Sequence, residues 1–237
     1  MNILFCEREI LPIEKFSPDV LHPTVAVKAS QYAVIHPSLS FRFFKRSIDI
    51  LISVMLLPVL VLLYLFLFIV NRFLNPGEVL FTQERVGKDG VRFNIYKFRS
   101  MVGKNSDPRF ATQETKRINR LGAFMRDCRI DEVPQIINVL KGEMSIIGPR
   151  PEQVSFYKKY EKGINGYGRR QRVLPGITGL AQLKYGYTAD EAGTARKLKW
   201  DLEYINRQNM RLEIYIMRNT MYFVVGRLLS RRTKTRL

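Results

Sequence analysis

The stretch from Ile48 to Val70 reads IDILISVMLLPVLVLLYLFLFIV, an apolar run in which Asp49 is the one charged residue. As a straight helix it would reach about 35 Å, against a bilayer hydrocarbon core of roughly 30 Å. The default reading is a transmembrane helix. Two features argue instead for a helix that enters and leaves by the same membrane face. Pro58, near the middle, removes a backbone hydrogen bond and clashes with the preceding turn, so a kink is expected there. Both flanks are basic: Arg42, Lys45 and Arg46 precede the run, while Arg72, Arg85 and Lys88 follow it. The positive-inside bias would put both ends on the cytoplasmic side, each arm being only about 15 Å long. Asp49, one turn after Lys45 and Arg46, is costly in lipid unless paired with them and is expected at the interface.

No second span follows. Residues 210–227 are apolar but interrupted by Arg211, Glu213 and Arg218, which suits an interfacial or core-packing helix. Arg231, Arg232, Lys234 and Arg236 then form either a polybasic patch that favours anionic lipid or a solvated tail. The 39 lysines and arginines outnumber the 21 acids in 237 residues, leaving a formal charge of +18. That excess calls for an anionic partner: nucleic acid, an acidic membrane surface or a phosphorylated substrate. Cys6 and Cys128 make neither a metal-ligand pattern nor a disulfide framework, and a reducing compartment fits them. His22 and His36 each precede a proline in a loop-like stretch and are poor candidates for ligand or base. Residues 1–40 lack the long apolar core of a secretory signal.

From residue 75 the chain reads as mixed α and β. VLFTQERVG and VRFNIYKFRSM are β-rich runs joined at Lys88-Asp89-Gly90, a hairpin signal;. Residues 103–115 are polar and loop-like. Helices are expected over about residues 116–126, 132–140 (ending at Gly142), 153–162 and 189–207, with residues 174–183 rich in turns.

The chemistry concentrates in RIDEVPQIINVLKGEMSIIGPRP, Arg129 to Pro151. Pro134 is tolerated only in a first helical turn, which sets a helix start near residue 132 and makes Asp131 its natural N-cap. The same helix end would favour a bound phosphate. Beside Arg126, Arg129 and Arg150, a carboxylate there has its charge stabilised. Asp131 and Glu132 point about 100° apart on a helix, so one could attack while the other holds a metal or takes a proton. Carboxylates suit magnesium, and arginines suit phosphate oxygens. Prolines 149 and 151 would present Arg150 on a rigid turn, or make it simply a surface arginine on a structural turn. Gly176-Ile177-Thr178-Gly179 is either an anion-binding nest or a turn. Lys97 and Arg99 lie on a strand, one face of which could equally be solvated.

These segments, in this order, resemble the monotopic phosphoglycosyl transferases, the bacterial sugar transferase family. The matching stretches are Lys45-Arg46-x-x-Asp49, Gln83-x-Arg85-x-Gly87, Tyr96-Lys97-Phe98-Arg99-Ser100-Met101 and Asp131-Glu132-x-Pro134-Gln135. Asn138-Val139-Leu140-Lys141-Gly142, Gly148-Pro149-Arg150-Pro151, Pro175-Gly176-Ile177-Thr178-Gly179 with Gln182, and Asp201-x-x-Tyr204 complete the set. The resemblance covers residues 41 to 225. It implies a re-entrant membrane helix and transfer of a sugar-1-phosphate from a nucleotide sugar to a polyprenol phosphate. The aspartate of the pair would be the nucleophile, forming a phospho-aspartyl enzyme. By this match Asp131 attacks, Glu132 assists with magnesium or the incoming phosphate, and Arg126 and Arg150 hold phosphates. Lys97, Arg99 and Thr178 join them as expected phosphate contacts, Gln135 and Gln182 as substrate contacts, and Asp131 and Glu132 as magnesium ligands.

The resulting expectation is an α+β fold: a small membrane-associated catalytic domain with a re-entrant helix broken at Pro58 and interfacial amphipathic helices. The divisions are an extension (1–40), the membrane helix (41–73), the catalytic domain (74–209), and an amphipathic helix with polybasic tail (210–237). The implied location is the cytoplasmic leaflet of a bacterial inner membrane, with anionic lipid as a partner, no nucleic acid, and a homodimer left open. The reaction would initiate exopolysaccharide, O-antigen, capsule or glycoprotein glycan assembly. Many family members carry a four-helix membrane domain ahead of this core, and residues 1–40 are too short and polar for one, so a short form is expected. Glu143 and Glu213 stand where the family has Asp, and Lys184-Tyr185-Gly186-Tyr187 replaces a stretch that some members use, so sugar preference does not carry over. Two other readings compete: a membrane-tethered nucleic-acid binder, which leaves the carboxylates unexplained, and a catalytically silent membrane adaptor.

Overall fold

The computed structural model describes residues 37–102, 117–185 and 191–234. The extension through residue 36 with Cys6, His22 and His36, the polar stretch 103–115, and Gly186 and Tyr187 lie outside them. The protein is a mixed α+β domain with one long apolar N-terminal helix. That helix, α1 (Leu39–Leu74), runs for 36 residues and continues through Pro58. Ser38 caps it by accepting the Phe41 N–H at 3.2 Å;.

One stripe of α1 faces the rest of the protein: Phe41, Asp49, Ser53, Leu60, Leu67 and Asn71 are buried. The steps of four, seven and eight residues keep that stripe on a single helical face. Leu60 and Leu67 pack with Val79, Phe98, Met125 and Ile136. The remaining faces expose Leu51, Met55, Leu62, Phe66 and Ile69, among others. The Lys45-Arg46-x-x-Asp49 motif docks α1 onto the domain. Lys45 Nζ reaches Glu213 Oε2 at 2.6 Å and the Ile147 carbonyl at 3.0 Å. Arg46 donates to the Val139 carbonyl at 2.8 Å, and Asp49 Oδ1 accepts the Ile146 N–H at 3.1 Å. Asp49 thus takes a backbone partner in the domain, which offsets the cost of its charge beside an apolar helix;.

Strands β1 (Leu80–Val86) and β2 (Arg92–Phe98) pair antiparallel from Leu80↔Phe98 to Val86↔Arg92. Their hairpin turns at Lys88–Gly90, as the sequence indicates, with Asp89 at φ 53° and Gly90 at φ 79°. Helix α2 (Arg120–Asp127) starts later than expected because Asn119 caps it, its Oδ1 accepting the Gly122 N–H at 2.7 Å;. After the 3-10 turn Ile130–Glu132 comes α3 (Gln135–Lys141), which ends at Gly142 with φ 82°. That left-handed stop is the one its glycine announces. Strand β3 (Ser145–Ile147) pairs parallel with β5 (Gly176–Thr178), and β4 (Glu152–Gln153) adds to the edge of β1. Gly176 thus lies in a strand, where an anion nest or a turn was expected. A side chain there would strike the Gly148 backbone, so the glycine serves close strand approach.

Helices α4 (Val154–Gly163), α5 (Leu180–Tyr185), α6 (Glu191–Asn206) and α7 (Met210–Lys234) close the other side. Their core joins Ile147, Tyr160, Tyr167, Leu198, Tyr204 and Ile216. The exposed side of α7 mixes Ile214, Met221 and Tyr222 with Arg211 and Arg218, and does not separate them into two faces.

Candidate active site

Arg129 adopts φ 59° and ψ 19°, the left-handed region that few non-glycine residues enter;. The chain then curls through Ile130–Glu132. Glu132 N–H donates to the Arg129 carbonyl and Val133 N–H to that of Ile130, both at 3.2 Å. Ile136 and Ile137 donate in turn to Val133 at 3.2 Å and Pro134 at 3.0 Å. These amides are used within the turn, and Pro134 occupies the N-cap position of a helix that begins at Gln135. Asp131 is therefore not the cap that Pro134 seemed to require. Its carboxylate is left for something else.

The two neighbouring carboxylates have opposite surroundings. Glu132 is buried at the centre of a cationic cluster. Arg150 grips it with both guanidinium nitrogens, Nη1 lying 3.3 Å from Oε2 and Nη2 close on Oε1. Lys97 Nζ lies 3.3 Å and Arg129 Nη1 3.5 Å from the same Oε1. Burial opposes ionisation of Glu132, but Arg150, Lys97 and Arg129 outweigh it and hold the carboxyl well below the usual range;. Asp131 is also buried, and its Oδ1 has no hydrogen-bond partner. Burial and the adjacent Glu132 charge push its pKa up to about 6, against the pull of Lys97, Arg150 and Arg126. Two adjacent acids are thus driven apart: Glu132 is a fixed anion, while Asp131 titrates near neutrality with an oxygen unclaimed.

The cations come from separate elements. Lys97 stands on β2, where burial lowers its pKa against the pull of Glu132 and with help from Arg150 and Arg85. Asn138 ties β2 to α3, accepting the Tyr96 N–H at 3.1 Å and donating to the Asn94 carbonyl at 2.7 Å. Arg126, at the end of α2, acts on Asp131 through its charge. Arg150 sits on the Gly148–Pro151 turn. The structure thus brings together Asp131, Glu132, Lys97, Arg126 and Arg150 of the expected set.

Of the other expected residues, Arg99, Thr178 and Gln182 are engaged elsewhere. Arg99 binds the Asn75 carbonyl with Nη2 and packs on Gly77, securing the exit from α1. Thr178 Oγ1 lies 2.8 Å from Thr220 Oγ1 of α7, and Gln182 Nε2 donates to the Ile177 carbonyl at 3.1 Å. Gln135 is fully buried, with neither amide atom hydrogen-bonded. Arg99 alternates with Lys97 in sequence but turns to the helix exit, a distinction that strand spacing alone does not carry. Arg170 and Asp201 were missed as part of the site's support. A hint lay in Asp201-x-x-Tyr204, but nothing local pairs it with an arginine 31 positions earlier.

Among the described residues, no three His, Cys, Asp or Glu side chains gather as a ready metal centre. The donor chemistry still admits magnesium in a limited way. That ion commonly rests on one or two carboxylates and completes its shell with phosphate oxygens and water. The unpartnered Asp131 Oδ1 fits such a role, whereas Glu132 is committed to three cations.

The family model described as bacterial sugar transferase matches residues 40–227. Among relatives, the chain is 42% identical over 195 residues to the UDP-N-acetylgalactosamine-undecaprenyl-phosphate N-acetylgalactosaminephosphotransferase of Aeromonas hydrophila, a match covering 81% of this chain and 46% of that protein. It is 37% identical over 185 residues to the UDP-glucose:undecaprenyl-phosphate glucose-1-phosphate transferase of Escherichia coli K12, covering 76% of this chain and 40% of that one. Against the exopolysaccharide production protein PSS of Rhizobium leguminosarum bv. phaseoli it is 36% identical over 185 residues, covering 75% of this chain and 92% of that one. The chain spans less than half the length of the first two relatives and nearly all of the third.

Proposed function

The chain belongs to the bacterial sugar transferase family, and from that premise we propose that it transfers a sugar-1-phosphate from a nucleotide sugar to a polyprenol phosphate. The donor is a UDP-sugar and the acceptor undecaprenyl phosphate, as the names of the relatives indicate for those proteins. The observation that carries the reading is Asp131: a buried carboxylate with an unclaimed oxygen, beside a glutamate that already neutralises part of the surrounding positive charge. A phosphate arriving there meets Arg150, Lys97 and Arg126 with a nucleophile in their midst.

In this mechanism the Asp131 carboxylate oxygen attacks the β-phosphorus of the nucleotide sugar. The bond from that phosphorus to the bridging oxygen breaks, and the nucleoside monophosphate leaves with the electron pair. The sugar-phosphate remains as an acyl phosphate on Asp131. An oxygen of the lipid phosphate then attacks the same phosphorus, forming the diphosphate and returning the carboxylate. Glu132 keeps Arg150 and Lys97 oriented and is not itself consumed. Magnesium, held by Asp131 and substrate phosphates, would supply charge neutralisation at the transferring group. Ionised Asp131 is needed, so the raised pKa sets a lower pH limit on the first step.

The surface of α1 supports a monotopic arrangement, and its basic flanks, Arg42, Lys45 and Arg46 before it and Arg72 at its end, favour a site on the cytoplasmic side;. Its domain-facing stripe extends on both sides of Pro58, from Asp49 to Asn71. A perpendicular crossing would carry the packed domain into hydrocarbon, whereas a helix that enters one leaflet only keeps the carboxylates at the interface.

The test uses detergent-purified protein, magnesium and a panel of UDP-sugars, with UMP release scored with and without undecaprenyl phosphate. Lipid-dependent UMP release that disappears in Asp131→Asn is the expected result. Unchanged release by that variant would remove Asp131 as the nucleophile.

A further inference from the structure

The turn that presents Arg150 has three consecutive carbonyls, and each is claimed. The Pro149 carbonyl accepts the Gly176 N–H at 2.9 Å, and the Pro151 carbonyl accepts Arg85 Nη1 at 3.2 Å. The carbonyl of Arg150 itself accepts Arg170 Nη2 at 2.8 Å. Arg170 is a buried guanidinium with nothing loose about it. Asp201 Oδ2 of α6 lies 3.0 Å from its Nε and 2.8 Å from its Nη2. Nη1 donates to the Tyr167 hydroxyl at 2.9 Å and lies 3.4 Å from Glu152 Oε1. The guanidinium also stacks on the Tyr167 ring, 5.1 Å from its centre.

A planar fork can serve an acid, a hydroxyl and a main-chain carbonyl at once, which an ammonium cannot. Removing two charges from water to build such a pair gives little net stability compared with an apolar core. Its location at the one backbone carbonyl that belongs to the phosphate-binding arginine calls for another explanation. We propose that Arg170, oriented by Asp201, is a positioning residue for the phosphoryl-transfer site: it fixes the Arg150 backbone so that the Arg150 side chain meets both Glu132 and the substrate phosphate. This role rests on the transferase reading above. The chain of contact runs from α6 through Asp201, Arg170 and the Arg150 carbonyl to the Arg150–Glu132 fork. Neither Arg170 nor Asp201 needs to touch substrate.

The experiment is a mutant cycle on UMP release in four proteins: wild type, Arg150→Ala, the double variant Arg170→Met/Asp201→Leu, and all three changes together. Replacing both charges avoids a buried unpaired Asp201, and Glu152, which also loses its ion pair with Arg170, is only partly buried, so the thermal unfolding midpoint should move little. A misplacement of catalytic groups by about 1 Å can lower rates ~100-fold, so the double variant is expected to lose about 30- to 100-fold in kcat/KM for the nucleotide sugar. In the Arg150→Ala background the same two changes should lose less than about threefold, because the group they position is gone. Full losses in both backgrounds, or no loss in the first, would overturn the role. If the double variant unfolds, Arg170→Lys carries the same cycle, with a smaller loss that must again vanish without Arg150. A wild-type protein that releases no UMP would instead sink the transferase reading on which the cycle depends.

Discussion

At Asp131 a single residue is held at a disadvantage in stability by its surroundings. Its folded pKa is about 6 against an ordinary value of 3.8, with burial the main cause and Glu132 the second. The folded protein therefore binds the Asp131 proton more tightly than the unfolded chain does. Stability falls as pH rises from about 4 to about 6, and the full penalty persists above that window. Asp131→Asn removes the ionisation, so the variant should match wild type near pH 4 and exceed it above pH 6, by roughly 3 kcal/mol. Chemical denaturation across pH 4 to 8 measures this directly; equal stabilities at pH 8 would mean that the carboxylate is not destabilised by its site. Activity should move oppositely, being lost in the same variant. Glu132 has the reverse sign. Its depressed pKa contributes stability that is present above the unfolded value near 4.5 and lost as pH falls toward the folded one. Glu132→Gln leaves Arg150, Lys97 and Arg129 facing one another, and should lower stability by about 3 kcal/mol and activity by orders of magnitude. Arg150→Lys, which gives up the two-nitrogen grip, should lose more activity than stability. Normal kinetics for Arg150→Lys would reduce Arg150 to a turn residue. The pairing of Asp131 with Glu132 was legible in sequence because adjacent acids among arginines are conspicuous. Their division of labour was not, since it depends on Arg150 and Lys97 arriving from 18 and 35 positions away.

Among the elements, α1 and the hairpin were readable because their signals are local. An apolar run makes a helix wherever it lies, and Lys88-Asp89-Gly90 turns a chain by its own backbone preferences;. The start of α3 was misread for an instructive reason. Pro134 reads as a first-turn proline of a helix starting near 132, but Arg129 adopts the left-handed region and initiates a separate 3-10 turn. A positive φ at arginine has no signature in sequence. Glycines 148 and 176 likewise read as loop formers, yet they allow β3 and β5 to approach. Whether α1 dips and returns is decided by where its ends lie. With a cysteine at Ser38→Cys and the native cysteines removed, a membrane-impermeant thiol reagent should label Ser38→Cys only from the cytoplasmic side of oriented vesicles, as it should a second cysteine placed at Asp89 in the hairpin. Labelling of the two positions from opposite sides would make α1 a true span.

At the scale of the whole molecule, two attractions to a membrane compete for the dominant role. The charge of +18 would bind an anionic surface from a distance;. The exposed flank of α1, with Leu51, Met55, Leu62, Leu65, Phe66 and Ile69, would bind by burial in lipid. Salt separates them. At 1 M ionic strength charges are screened beyond about 3 Å, whereas transfer of apolar surface at roughly 25 cal/mol per Å² persists. Lys45, Arg46 and Asp49 spend their polar groups on the domain and not on headgroups. The ion pair between Lys45 and Glu213 joins the first described helix to the last across 168 positions. Such a link is invisible to local pattern, which is why the motif's docking partners could not be read from the sequence. Because α1 is tied to the domain in this way, its lipid contact should hold the entire domain. Washing membranes with 1 M salt, and then with alkaline carbonate, should leave the protein in the pellet, while detergent should release it in a folded form. The fraction remaining should be the same for neutral and anionic vesicles at high salt and should differ between them only at low salt. Release by salt alone would show that charge, and not the apolar flank of α1, carries the attachment; the helix would then lie on the surface, and the proposed entry of Pro58 into the leaflet would lose its support.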